Sequence, residues 1–196
     1  MKRVIGIVGG LSPESTIIYY EHIIKRYRDK FGDHSYPEIV VYSVNFQWFI
    51  DRMKSEEWSL IAEALVNAIY KLQRAGADFA LMASNTVHIV LEEVKKKSPI
   101  PLLSIIDATA DAIRAEGIVT VGLLGTLYTM TRDFYKKGLA RHGINVITPN
   151  RRDMQLVDRV IFKELVKGVI KPESKRDFIR IVEDMESRGA QGVILG

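Results

Sequence analysis

The sequence Met-Ala-Ser-Asn-Thr-Val-His at residues 82–88 contains the densest group of side chains that could do chemistry. It follows a short apolar run, so Ser84, Asn85 and Thr86 are expected in a loop that leads from a strand into a helix. Hydroxyl and backbone N–H groups at a helix N-terminus favour an anion such as a carboxylate. The alternative is that Asn85 or Thr86 only caps the helix.

His88 follows Ser84 by four residues and lies about one turn into the predicted helix. It could tune a neighbouring group or hydrogen-bond the loop. The alternative is a partly buried histidine that meets a backbone carbonyl group. The sequence leaves both interpretations open.

A second polar segment, Gly-Gly-Leu-Ser-Pro-Glu-Ser-Thr at residues 9–16, places Gly10 and Ser12 at a glycine turn before a helix. The segment has neither a G-x-G-x-x-G pattern nor a P-loop lysine, so it is a poor nucleotide-binding signal. It suits a nest of backbone N–H groups that binds a carboxylate.

Other polar residues follow further apolar runs. Asn45 ends the second predicted strand, and the nearby Arg52 could reach an acidic substrate. A lone arginine near a helix start is, however, more often a solvated surface charge. Thr126 and Thr129 hold the corresponding place after a strand in the second half of the chain.

The elements that must position these residues alternate along the chain. Hydrophobic patterning predicts strands at 3–8, 38–44, 78–83, 100–105, 118–124, 144–149 and 192–195. It predicts helices at 13–31, 55–76, 86–97 and 128–143, and near 152–168 and 173–189. Ser12 is the expected N-cap of the first helix, with Pro13 at its first position. Strands that are apolar on both faces predict an α/β fold with mostly parallel sheets.

The two halves of the chain resemble each other. Residues 76–84 (GADFALMAS) align with residues 189–196 (GAQGVILG), so Ala83 matches Gly196 and the partner of Ser84 would be residue 197. We therefore expect two pseudo-symmetric α/β subdomains, 1–103 and 104–196, the second of them truncated at its C-terminus. A duplicated unit of this kind is expected to bind its ligand in a cleft between the halves.

Composition excludes several classes. The 196 residues contain no cysteine, which excludes disulfides and a thiol nucleophile within this span. The net charge of +4 could help to attract an anionic small molecule, but no basic stripe with interleaved aromatics predicts nucleic-acid binding. The apolar runs are too short to span a membrane, and the N-terminus does not look like a signal peptide, so a cytoplasmic location is expected.

Together, four segments resemble the cofactor-independent aspartate/glutamate racemases: GIVGGLSPEST, MASNTVH, GLLGTLYTMTRDFY and RGAQGVILG. The resemblance covers nearly the whole chain. It implies an amino-acid racemase with a small acidic amino-acid or dicarboxylate substrate, no pyridoxal phosphate or metal, and a homodimer. It further implies that Ser84 is the catalytic residue and that the substrate is bound by Gly10, Ser12, Asn45, Arg52, Asn85, Thr86, His88, Thr126 and Thr129.

Racemisation removes the α-proton from one face and returns a proton to the other, so two acid/base groups must flank Cα. Family members use Cys-Asn-Thr and Gly-Cys-Thr-Glu motifs for this purpose. Here Ser84 takes the first cysteine position, as in one branch of the family, and the chain stops before the second. We therefore expect activity to be impaired in this chain.

Two alternatives remain. The chain could be a catalytically inactive relative that binds a dicarboxylate or an amino acid. It could also have another activity of the same superfamily, which includes malonate decarboxylases, maleate isomerases and hydantoin racemases.

Overall fold

The strands and helices alternate as predicted in a computed structural model that describes residues 3–196. The chain divides into two units, Met1–Ser104 and Ile105–Gly196. Both contain parallel sheets with helices between successive strands. The predicted α/β class with parallel sheets is confirmed.

The first unit contains a four-stranded sheet in the order β2-β1-β3-β4, whose paired strands are all parallel. A 3-10 turn, Thr86–Val90, precedes α4. The elements are β1 (Ile5–Gly9), α1 (Pro13–Phe31), β2 (Ile39–Ser43), α2 (Phe46–Lys54), α3 (Trp58–Arg74), β3 (Phe79–Met82), α4 (Leu91–Lys97) and β4 (Leu102–Leu103).

The second unit contains a three-stranded parallel sheet in the order β6-β5-β7. A second 3-10 turn, Leu165–Lys167, follows α8. The elements are α5 (Ile105–Ala115), β5 (Thr120–Leu124), α6 (Leu127–Thr131), α7 (Asp133–Ala140), β6 (Asn145–Ile147), α8 (Arg151–Lys163), α9 (Pro172–Ser187) and β7 (Gly192–Leu195).

The first helix begins and ends where its sequence signals predict. The Ser12 hydroxyl accepts a hydrogen bond from the Ser15 N–H, and Pro13 occupies the first helical position. Gly32 ends α1 in the left-handed conformation with φ +68°, and its N–H donates to the Arg28 carbonyl oxygen. Glycine adopts this conformation at little steric cost, which is why it ends many helices.

Apolar helix faces form the cores of both units. In the first unit, α3 packs against β1 and β2 through a fully buried face made of Ile61, Leu65, Ile69 and Leu72. In the second unit, two apolar clusters form. One contains Ile106, Leu123, Tyr135 and Leu139, and the other contains Leu124, Met130, Val157 and Ile181. These cores hold the strand ends, from which the polar loops extend.

The strand pairing supports the internal repeat that the sequence suggested. The Ala83 N–H donates to the Val8 carbonyl oxygen at 3.0 Å, and the Gly196 N–H donates to the Leu124 carbonyl oxygen at 2.6 Å. Val8 pairs with Met82 and Leu124 with Leu195, one residue earlier in each case. Ala83 and Gly196 therefore occupy equivalent positions beside the central strands of their own sheets.

The opposite ends of the same strands repeat a second contact. The Val4 N–H donates to Asp78 Oδ2 at 2.6 Å. In the second unit, the Thr120 N–H donates to Gln191 Oε1 at 3.0 Å. An aspartate and a glutamine thus bind the backbone at matching places, which supports the same internal architecture in each unit.

Five details of the predicted secondary structure need correction. Residues 46–54 form a separate helix, α2, and residues 105–115 form α5, where no helix was predicted. The predicted strand at 100–105 is reduced to Leu102–Leu103. The predicted helix at 128–143 is two helices, because Arg132 is extended with φ −82° and ψ 148°. The predicted helix at 86–97 begins as a 3-10 turn.

No helix in the described part of the chain is long and apolar enough to cross a membrane. No group of three or more His, Asp or Glu side chains in residues 3–196 is arranged to hold a metal ion.

Candidate active site

Three loops of the first unit meet at the carboxyl ends of its strands. The Val44 N–H, after β2, donates to the carbonyl oxygen of Gly9 at the end of β1, at 2.9 Å. The Ser15 hydroxyl, at the start of α1, lies 3.0 Å from the carbonyl oxygen of Ala83, after β3. Ligands of parallel α/β sheets bind at this edge. The predicted site residues that follow these three strands are therefore neighbours.

The turn after β1 requires a glycine at position 10. Its φ is +77°, and a Cβ atom there would lie 2.5 Å from Ser43 Oγ and 2.6 Å from the Val44 carbonyl oxygen. Its N–H already donates to Thr16 Oγ1 at 2.9 Å. Gly10 therefore allows the close approach of two loops, and its amide hydrogen is used within the chain.

Ser12 is also engaged locally. Its hydroxyl accepts from the Ser15 N–H at 3.4 Å and donates to Glu14 Oε2 at 3.1 Å. Its carbonyl oxygen accepts from the Thr16 hydroxyl at 3.0 Å. These contacts fix the start of α1 beside the loop that follows β3.

The polar loop after β3 starts at Ser84, which is partly exposed. The Ser84 N–H donates to the Met82 carbonyl oxygen at 2.8 Å. His88 Nδ1 lies 2.8 Å from the Ser84 carbonyl oxygen. Because a carbonyl oxygen can only accept, Nδ1 carries the hydrogen of this bond. His88 is 3% exposed. It hydrogen-bonds the loop, as the first interpretation expects, and it is a buried histidine that meets a backbone carbonyl group, as the alternative expects.

Asn85 does not cap the helix. Its backbone is already helical, with φ −71° and ψ −44°, and its side chain makes no capping hydrogen bond. The side-chain oxygen Oδ1 is buried and has no hydrogen-bond partner in residues 3–196. A buried polar atom of this kind requires an explanation, because leaving it unpaired costs about 1–3 kcal/mol. Thr86, which follows it, is buried.

Asn45 caps α2, since its side-chain oxygen accepts from the Trp48 N–H at 3.3 Å. Asn45 and Trp48 also line a cavity of about 210 Å³ together with Tyr42 and Lys71. The Lys71 ammonium group donates to the Tyr42 hydroxyl at 2.5 Å. Asn45 therefore has a structural role at the end of β2.

Arg52 contacts its own helix and the turn that follows. Its Nε lies 3.1 Å from Glu57 Oε2, without the angle of a hydrogen bond. Its guanidinium carbon lies 5.0 Å from the centre of the Trp48 ring. The charge is thus paired and stacked, and its side chain is 34% exposed.

In the second unit, the loop after β5 carries the two predicted threonines. Thr126 caps α6 by accepting from the Thr129 N–H at 3.3 Å, and the two hydroxyl oxygens lie 3.1 Å apart. Thr129 is fully buried, and a Cβ atom on Gly196 would lie 3.5 Å from its methyl group. The β5 loop and the end of β7 are therefore neighbours.

Two carboxyl groups of the second unit have displaced pKa values. Asp158 Oδ1 accepts from the Leu127 N–H at 2.7 Å, and burial raises the pKa of this carboxyl, although that hydrogen bond opposes the rise. Asp153 accepts from Arg180 and Asn150. The Arg180 hydrogen bonds lower the pKa of Asp153, burial opposes them, and Asn150 assists them.

Sequence reasoning missed two residues that hold these loops, Ser15 and Asp158. Ser15 contacts Ala83 across 68 positions of sequence, and Asp158 contacts Leu127 across 31. Ser15 lies in the Ser-Pro-Glu-Ser segment that predicts a helix start, but no local pattern indicates its distant acceptor. Only the folded chain brings these partners together.

The parallel sheets, with polar loops at the carboxyl ends of their strands, define the chain as an α/β protein of the type that binds small ligands at that edge. A sequence model of the Asp/Glu/hydantoin racemase family matches residues 8–196. The chain belongs to this family.

Known relatives agree with this assignment. The chain is 30% identical over 146 residues to the broad specificity amino-acid racemase RacX of Bacillus subtilis (strain 168). That match covers 73% of this chain and 63% of the relative, so the chain matches less than two thirds of the length of this curated relative.

Two solved structures are similar in fold. A crystal structure of an aspartate racemase homologue from Pyrococcus horikoshii OT3 is 43% identical, with a TM-score of 0.84. That match covers 100% of this chain and 85% of the other. The aspartate racemase of Picrophilus torridus has a TM-score of 0.75 at 23% identity, covering 94% of this chain and 77% of the other. At that identity the likeness shows the fold alone.

Proposed function

We propose that the protein is a racemase of the aspartate/glutamate type, which moves the α-proton of a small acidic amino acid without pyridoxal phosphate or a metal ion. Membership of the Asp/Glu/hydantoin racemase family supports this proposal. The grouping of three polar loops around Gly10, Ser43 and Ala83 supports a small-molecule site in the first unit.

One observation carries the proposal: the buried, unpaired Oδ1 of Asn85, in the residue next to Ser84. An amino acid supplies what this side chain needs, because its α-ammonium group donates hydrogen bonds and its α-carboxylate accepts them. The Asn85 oxygen would accept from the ammonium group, and the amide N–H₂ would donate to the carboxylate. Binding would then remove the cost of the unpaired oxygen.

Ser84 is proposed as the acid/base group for one face of Cα. A serine hydroxyl is a weak base and must be activated by its surroundings. Hydrogen bonds to the substrate carboxylate would stabilise the negative charge that develops when the proton leaves. Inversion needs a second acid/base group on the other face of Cα.

Exchange of the α-proton and inversion at Cα need different numbers of acid/base groups. Exchange of the α-proton with solvent on one face needs one acid/base group, whereas inversion needs two. The 196 residues contain no thiol. We therefore propose that the α-proton on the Ser84 face exchanges through a hydroxyl group, and that exchange and inversion must be measured separately.

The test is to incubate L-aspartate and L-glutamate with the protein in deuterated water. Mass spectrometry would follow deuterium at Cα, and chiral chromatography would follow inversion. Exchange should fall at least tenfold in Ser84→Ala. A control is Ser98→Ala, which removes a serine hydroxyl outside the polar loops; that hydroxyl donates to the carbonyl oxygen of Ile100 at 2.6 Å. Release of carbon dioxide from malonates or conversion of maleate would instead indicate another activity of the superfamily.

A second candidate is a binding protein for an amino acid or a dicarboxylate. The absence of cysteine from these residues favours it, because a hydroxyl is a far poorer base than a thiolate. Calorimetric binding of aspartate or glutamate without any α-proton exchange would support this candidate over the racemase.

We also propose that the protein is a homodimer and that it acts in the cytoplasm. The resemblance to the aspartate/glutamate racemases supports the first point. Light scattering should give about twice the 22.2 kDa of one chain. A monomeric mass at micromolar concentration would contradict the dimer.

A further inference from the structure

The backbone on both sides of Ser84 is held by four hydrogen bonds. The Ala83 N–H donates to the Val8 carbonyl oxygen, and the Ser84 N–H donates to the Met82 carbonyl oxygen. The Ser84 carbonyl oxygen accepts from His88 Nδ1. The fourth bond joins the Ala83 carbonyl oxygen, whose residue is fully buried, to the Ser15 hydroxyl.

The Ser15 hydroxyl has two acceptors in reach, and the surroundings favour one of them. Its oxygen lies 3.0 Å from both the Ser12 and the Ala83 carbonyl oxygens, but it carries one proton. The Ser12 carbonyl oxygen already accepts from the Thr16 N–H at 3.3 Å and from the Thr16 hydroxyl at 3.0 Å. The Ser15 proton therefore stabilises the chain more when it points to Ala83.

This bond has a specific place in the fold. The carbonyl group of Ala83 belongs to the peptide unit that includes the Ser84 nitrogen, so fixing its oxygen fixes the plane from which the Ser84 side chain departs. Ser15 stands on α1, whereas the other three bonds come from β1, β3 and the turn that contains His88. The Ser15 hydroxyl is thus the contact that ties this peptide unit to the first helix.

We infer that Ser15 is a positioning residue for Ser84: its hydroxyl holds the Ala83–Ser84 peptide unit in the orientation that directs the Ser84 side chain toward a bound amino acid. The inference rests on the proposed function for its catalytic consequence. Its structural part, control of the peptide orientation by one hydroxyl, stands without it.

The test compares two isosteric substitutions, Ser15→Thr and Ser15→Val. Both add a branched side chain to α1, so their effects on the helix are similar, but only threonine keeps the hydroxyl. Ser187→Ala is a matched control, because the Ser187 hydroxyl also donates to a backbone carbonyl oxygen, that of Asp184 at 2.7 Å. If Ser15→Val does not fold, Ser15→Ala takes its place.

The first readout is hydrogen exchange of the Ser84 amide, followed by NMR. We expect about tenfold faster exchange in Ser15→Val than in Ser15→Thr, with the Ser187→Ala control unchanged. The Ala83 carbonyl ¹³C resonance should move in Ser15→Val and stay in place in Ser15→Thr. Equal exchange rates and equal Ala83 shifts in the two variants would overturn the inference.

The second readout is α-proton exchange of L-aspartate or L-glutamate in deuterated water. Ser15→Val should lower kcat about tenfold and leave KM nearly unchanged, because the positioning of Ser84 is altered and the binding groups are kept. Ser15→Thr should restore kcat. If the unmutated protein exchanges no α-proton, the proposed function fails, while the NMR comparison still decides whether Ser15 positions the peptide.

Discussion

His88 Nδ1 donates a hydrogen bond to the carbonyl oxygen of Ser84 at 2.8 Å. The histidine is nearly fully buried, one helical turn beyond the serine. This contact fixes the ring tautomer, because Nδ1 must carry a hydrogen. It leaves Nε2 to act as an acceptor when the ring is neutral.

We predict that His88→Leu lowers the free energy of unfolding by about 1–3 kcal/mol, because the partly buried Ser84 carbonyl oxygen loses its donor. Urea unfolding monitored by circular dichroism measures this. His34→Leu is the matched control, since His34 is exposed. A substitution at such an exposed position changes the free energy of unfolding by no more than about 0.5 kcal/mol. Equal effects of the two substitutions would show that the His88–Ser84 bond does not stabilise the loop.

Asn85→Leu should separate stability from binding. The buried Oδ1 of Asn85 is unpaired, so an apolar side chain of similar size should leave the melting temperature unchanged or raise it. Binding of aspartate or glutamate should weaken at least tenfold, because the group that would accept from the ammonium is lost. Differential scanning fluorimetry and calorimetric titration give the two quantities. A lower melting temperature with unchanged affinity would contradict a ligand-binding role.

Gly10→Ala should destabilise the protein by about 3 kcal/mol or more, because it combines a positive φ with a collision of a new Cβ against backbone atoms. The two nearest backbone atoms, both of Val44, would lie 2.6 and 2.7 Å from that Cβ. Gly32→Ala is the control: φ is +68° there, but nothing lies within 4 Å of the new Cβ. Gly32→Ala should lower the free energy of unfolding by about 1 kcal/mol. Similar costs for the two would argue against the close loop contact.

Asp158→Asn should change the pH dependence of stability. Burial raises the pKa of Asp158, so its contribution to folding is present at acid pH and is lost as the pH rises through the folded-state value. Asparagine keeps an oxygen for the Leu127 N–H and carries no charge. We therefore expect the variant to gain stability relative to the unmutated protein as pH increases from 3 to 7, as urea unfolding at several pH values would show. A variant that loses stability at pH 7 would contradict this assignment.

Local signals in the sequence predicted much of the fold. Ser12 and Pro13 marked the start of α1, and its observed bounds agree with the predicted range. The alignment of Ala83 with Gly196 predicted an internal repeat, and the two residues follow equivalently paired strands in their own sheets. The helices α2 and α5 were missed because each directly follows a strand signal and spans only nine or eleven residues.

Less of the candidate site than of the fold could be predicted from the sequence. The cluster at Ser84, Asn85 and Thr86 was predicted from its residue types, but the buried Oδ1 of Asn85 depends on packing. The contact between Ser15 and Ala83 joins residues 68 positions apart. Such contacts arise only when the strands are paired and α1 lies against their ends, which no local pattern encodes.

The most direct test of the racemase proposal is deuterium incorporation at Cα of L-aspartate and L-glutamate in deuterated water, measured with the unmutated protein and with Ser84→Ala. We predict incorporation above the protein-free rate for at least one of the two acids. We predict a fall of at least tenfold in Ser84→Ala, because losing a positioned acid/base group typically lowers a rate by about 10²–10⁴. Incorporation that equals the protein-free rate, or that is unchanged in Ser84→Ala, would contradict the assignment of Ser84 as the group that moves the α-proton.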